Sequence, residues 1–140
     1  MNFDVPAEDE WPLIFDTWSK SWMKSAWSGT VRNCDWAETS RKASGEIVDR
    51  ATTRVTVLWT TTEDGVRRVV GYSVSEPSKK VIHWLYVKRD FRGYGNARRL
   101  LSEIMGNTSR AEWRYTHRTN ACSRLFRGMV HDKSFACAKA

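Results

Sequence analysis

Apolar positions change period along the chain, and the changes divide it into elements. Trp11, Phe15 (beside Ile14), Trp18 and Trp22 recur at near-helical spacing, so Glu10 to Ala26 reads as an amphipathic helix whose Trp stripe faces a core. Ser25, Ser28 and Gly29 end it. Asp35 with Glu38 three residues later resembles a capping box and opens a second helix. Trp36, Ala43, Ile47 and Val48 form its apolar side up to Arg50 or Ala51. The period then falls to two. Thr53 to Thr60 alternates as a strand, Glu63-Asp64-Gly65 turns, and Arg67 to Ser75 returns as the second arm of a hairpin. Pro77-Ser78-Lys79-Lys80 turns again into Val81 to Val87, an apolar run that makes the third strand of an antiparallel meander. A helix follows from Asn96 to Met105, with Ala97, Leu100, Leu101 and Ile104 inward and Gly106-Asn107 as its stop. Glu112 to Thr116 reads as a short strand that pairs in parallel with the central one through a helical crossover. A last helix, Asn120 to Met129, and an extended Lys133 to Cys137 close the sequence. The fold class is α+β, a mostly antiparallel sheet flanked by helices.

The chain is organised around Val81 to Leu101. A strand, a charged corner, two glycines and a basic helix follow one another there. Such an arrangement turns main-chain N–H groups outward at the positive end of a helix, where anions are attracted. Gly93 and Gly95 permit positive φ and close approach of a ligand, while Arg92, Arg98, Arg99 and Lys88 add charge. The segment is not a P-loop, since no Gly-Lys-Ser/Thr follows, and not a dinucleotide fingerprint, since Arg98 stands where a third glycine would.

Composition narrows the setting. At 140 residues, 41% hydrophobic and with eight Trp, the chain suits one folded domain, residues 10–140, behind a flexible arm, residues 1–9. The arm could instead supply a stub of first strand at Phe3-Asp4-Val5. No apolar run approaches membrane-spanning length and the opening residues are acidic, so the expected location is cytoplasmic. Cys34, Cys122 and Cys137 show neither a disulfide framework nor zinc spacing, and no metal site is expected. The net charge of +7 gathers at Lys88 to Arg99 and Arg110 to Arg127, a surface that attracts anions.

Arg92-Gly93-Tyr94-Gly95-Asn96-Ala97, preceded by Leu85-Tyr86-Val87 and Phe91 and followed by Leu100-Leu101, resembles motif A of the GNAT superfamily of N-acetyltransferases. That motif runs Arg or Gln, two residues, Gly, one residue, Gly or Ala. The small size and Trp-rich opening are also similar to GNAT-like proteins of bacteriophages, which would place the chain in a host cytoplasm or a virion. The resemblance implies a GNAT-like fold splayed beside the central strand, and acetyl-CoA as co-substrate. It also implies that Leu85, Tyr86 and Val87 pair with pantetheine, while Arg92, Gly93, Tyr94, Gly95, Asn96, Ala97 and Arg98 hold the pyrophosphate. GNAT domains commonly pair, so a homodimer or larger assembly is open.

An amine would attack the thioester directly, with a strand N–H polarising the carbonyl. His83, on a face with Leu85 and Val87 by alternation, is one candidate base. His117 is another, with Tyr115 beside it as a proton donor. The family often places a Tyr general acid on its last helix; Phe126 or Arg127 stands there, and Tyr115 or Tyr94 could substitute. Cys122 as nucleophile has no base placed by spacing. The basic surface disfavours a polycationic acceptor and suits a protein lysine among acidic residues, a protein N-terminus or a nucleic-acid amine. The alternatives are a GNAT-like structural or regulatory module without turnover, and a nucleic-acid binder carried by charge and Trp/Arg content but lacking any RNP, helix-turn-helix or zinc signature.

Overall fold

The computed structural model describes residues 1–23, 42–117 and 124–132. Within them lie β1 (Asn2–Asp4), α1 (Trp11–Met23), α2 (42–49), β2 (Arg54–Thr61) and β3 (Arg67–Glu76). There follow β4 (Val81–Val87), α3 (Asn96–Met105), β5 (Arg114–Tyr115) and β6 (Val130–His131). The six strands make one mixed sheet in the order β1-β2-β3-β4-β5-β6. Neighbours are antiparallel up to β4 and parallel from β4 to β6. The molecule is a mixed α+β protein with three helices among the described residues.

The meander forms because each strand is bounded by a turn its residues can make. Gly65 takes φ 79° between β2 and β3, and Lys80 takes the left-handed conformation before β4. The Asn2–Asp4 segment pairs with Val57 to Trp59 of β2, so the strand stub is the outcome seen at the start of the chain. Arg67 fastens this edge through Glu10, Asp4 and the Val5 carbonyl.

Helices cover both faces of the sheet. On one, the Tyr72 hydroxyl donates to the Ile14 carbonyl of α1 at 2.9 Å and accepts from the Trp84 indole at 2.6 Å. On the other, Leu100 of α3 lies against Gly71. Successive residues on a strand point to opposite faces, so α1 and α3 take opposite sides of β3. Trp18, Ile14, Val57, Val74, Leu100 and Ile104 are buried between these layers, each worth about 1.5–3 kcal/mol of apolar burial. The Trp stripe of α1 is thus core at Trp18, while Trp11 stacks on Phe15 at its half-buried margin.

The later part of the chain differs from its sequence reading. A helix to Met129 gives way to turns over residues 126–129, with Gly128 at φ 92°. Val130–His131 then forms a parallel edge strand. The start of the expected fifth strand is a 3-10 turn, Arg110–Glu112, because Ser109 and Glu112 bond reciprocally across it. Asp35, Glu38, Trp36, the three cysteines and residues 133–140 lie outside the described residues.

Candidate functional site

Strand β4 ends at Val87, and Lys88 N–H still bonds to the Val70 carbonyl. A single 3-10 turn, Arg89–Phe91, then leads into Gly93 at φ 86° and Gly95 at φ 80°. Two left-handed residues so close together bend the chain sharply enough to start α3 immediately. Gly95 occupies the position before the helix and no side chain caps it. The first helical backbone bond is Arg99 N–H to the Gly95 carbonyl at 3.1 Å. Among the described residues, the N–H groups from Gly93 to Arg98 find no carbonyl or side-chain acceptor, the condition under which a helix start binds an anion.

The corner is open. A Cβ added to Gly93 or Gly95 would meet nothing within 4 Å. Tyr94 is 74% exposed, and Arg98 and Arg99 are exposed on the first turn. Arg92 is held at the strand end: its Nε donates to the Val87 carbonyl at 2.8 Å and its guanidinium lies over Tyr86. Asn96 is buried and works as a clamp. Its Nδ2 donates to the Phe91 carbonyl at 2.9 Å, and its Oδ1 accepts from Arg99. Ala97 is half-buried behind it. Leu85 and Val87 are buried on β4, with Tyr86 half-buried between them. The corner thus gathers every residue from Arg92 to Arg98 that the sequence singled out, and β4 delivers Leu85 to Val87 to its base.

The titratable candidates lie elsewhere on β4 and β5. His83 is fully buried, with Nε2 2.6 Å from Glu76 Oε2 and Nδ1 2.9 Å from Thr116 Oγ1. Register explains its direction: Val74 opposes Trp84 and Ser75 opposes Ile82, so His83 is the extra residue of a β-bulge. The alternation that would align it with Leu85 and Val87 is broken at that point. Burial pushes the imidazole down to about 4, against the pull of Glu76. Glu76 itself is buried, which alone would raise its carboxyl. Hydrogen bonds from Thr52, His83 and Arg50 outweigh that and hold it at about 2. Lys79 adds a cation 3.3 Å away.

His117 is also buried, with Nε2 2.8 Å from Ser21 Oγ of α1 and its ring edge-on to Trp84. Burial, reinforced by His131, pushes it down to about 3. Tyr115 is buried between Phe126 and His131, each ring 5.0 Å away. Phe126 is core rather than cleft, and Arg127 is exposed.

Strand β5 pairs with β4 over two positions, Val81↔Arg114 and Ile82↔Tyr115, and Thr116 N–H adds a bond to the Ile82 carbonyl. Residues 118–123, which continue from there, lie outside the described residues. Sequence reasoning missed Glu76 and Thr116 as partners of His83. The available signal was a carboxylate closing an apolar strand, one tight turn away from a histidine. Among the described residues no helix is long and apolar enough to cross a membrane, and no group of three or more His, Cys, Asp or Glu could hold a metal ion.

No protein-family model matches this sequence, and no curated protein matches it.

Proposed function

We propose that this chain is a GNAT-type N-acetyltransferase that binds acetyl-CoA at the β4–α3 corner and passes the acetyl group to an amine. The observation that carries this is the open run of N–H groups from Gly93 to Arg98, uncapped and flanked by Arg92 and Arg98. A diphosphate fits that chemistry: its oxygens accept from a cluster of N–H donors, and its charge is favoured by the helix start. Gly93 and Gly95 leave space for it. With the diphosphate there, the pantetheine arm would run along the end of β4, past Tyr86 and Val87. A β4 N–H would then polarise the thioester carbonyl as negative charge develops on it.

Neither histidine suits general-base work at neutral pH, because both imidazoles are buried and hold a proton poorly. An acceptor amine would therefore arrive deprotonated or lose its proton to water. The same observation favours a second reading, a CoA-binding module without turnover. Calorimetry with acetyl-CoA tests the binding, and release of free CoA thiol in the presence of amine acceptors separates the two readings. Failure to bind CoA or acetyl-CoA refutes both.

A further inference from the structure

We infer that Glu76, His83 and Thr116 form a polar pin that sets where β5 leaves β4, and so positions the cleft in which the thioester would lie. The inference rests on the acetyl-CoA reading above. Three features of the chain support it. First, His83 is the bulged residue of β4, and a bulge sharpens twist in the strand that carries it. Leu85 to Val87, which would face the pantetheine, follow directly. Second, Thr116 is tied to β4 twice, by its N–H to the Ile82 carbonyl at 3.0 Å and by its hydroxyl to His83 at 2.9 Å. The side-chain bond takes over at the position after the last residue pair of the β4–β5 ladder. Third, all three side chains are buried, and Glu76 is anchored by Arg50 at 2.8 Å and Thr52 at 2.5 Å. A core selected for stability alone is served as well by apolar residues, so a satisfied buried network argues for fixed geometry.

The proton positions follow from the partners. Ionised Glu76 only accepts, so His83 Nε2–H donates to it and Nδ1 accepts from the Thr116 hydroxyl. Thr116 is then a positioning residue, not a nucleophile: its hydroxyl is buried and the imidazole behind it is a poor base.

The test compares Thr116→Val, Thr116→Ser and Ile14→Val with the parent, each measured for melting temperature and for acetyl-CoA affinity by calorimetry well below its melt. Val removes the hydroxyl at nearly constant volume, Ser restores it, and Ile14 lies on the α1 face away from the corner. Thr116→Val is expected to weaken acetyl-CoA by about tenfold, a coupling of about 1.4 kcal/mol. Thr116→Ser stays within about threefold of the parent, less than half that coupling. Ile14→Val lowers the melting temperature by trimming a buried methyl group and keeps parental affinity. Equal affinity in Thr116→Val and Ile14→Val would overturn the pin while leaving the cofactor reading intact. A parent chain that does not bind acetyl-CoA would overturn both.

Discussion

Gly71 is where the sheet, α3 and the corner are pressed together, and Gly71→Ala perturbs all of them with one methyl group. The added Cβ would sit closer to the Tyr86 carbonyl oxygen than real Cβ atoms come to any neighbour. It would also lie 3.1 Å from Val87 Cα and 3.3 Å from Leu100 Cδ1. Two of those neighbours are main chain of β4, which cannot swing aside as a flexible side chain would. Overpacking of this kind costs about 1–3 kcal/mol, and the rigid neighbours place it at the upper end. Alanine recovers about 0.5–1 kcal/mol through the less flexible unfolded chain. The net expectation is a loss of about 2 kcal/mol, which for a chain of this size lowers the melting temperature by about 6–8 °C. Relief comes from β4 shifting outward at Tyr86 and Val87, so CoA affinity should fall with stability. Thermal denaturation followed by circular dichroism reads the first effect, and calorimetry the second. A variant as stable as its parent would refute the close approach, and with it the tight packing of Leu100 of α3 against Gly71 of β3.

Other outcomes follow from the same geometry. Gly95→Val places a β-branched residue at φ 80°, a strain of about 1–2 kcal/mol, and its side chain would fill the proposed phosphate approach. CoA affinity should drop by at least about tenfold while the circular dichroism spectrum is kept, and an unchanged affinity would count against the cradle. If CoA binds as proposed, Arg98→Gln would remove one charge-assisted contact to phosphate, worth about 1.5–3 kcal/mol, and its effect on CoA should shrink at high salt. Stability should fall with acid. His117 is held at about 3 and His83 at about 4 in the folded chain, so below about 6.5 the unfolded chain takes up protons that the folded chain refuses. Glu76, held at about 2, contributes stability above about 4.5 that is lost as pH falls through 2. All three shifts act in one direction. Urea midpoints should therefore drop steadily from pH 7 to pH 4, less so in His117→Gln; a midpoint flat over that range would contradict the burial of both imidazoles.

The centre of the fold was legible in the sequence because local chemistry dictates it. The apolar run between Lys80 and Lys88 is β4 at its observed bounds, Val81–Val87. Gly95 and Gly106 bracket α3 where it was expected, at Asn96–Met105, since each takes a conformation that ends regular structure. What escaped depends on residues distant in the chain. The sequence leaves residues 1–9 open between a flexible arm and a stub at Phe3-Asp4-Val5, since the three-residue β1 forms on an edge that β2 supplies. The bulge at His83 is invisible to period-two counting, since the sequence there is as regular as the rest of the strand and only pairing with β3 skips a residue. Glu76 and Thr116 become partners of His83 through that bulge and through the β5 crossover. The candidate site was legible in part for the same reason: its glycine corner is one continuous segment, whereas the surroundings of His83 and His117 are assembled from α1, β3, β4 and the end of β5.

The most direct measurement is a titration of the ¹⁵N-labelled chain with CoA, read at the backbone amides. Capture of the diphosphate predicts saturable shifts concentrated on Gly93 to Arg98, with Gly95→Val abolishing them. Saturable shifts elsewhere that spare those amides, or no shifts at millimolar CoA, would contradict the account.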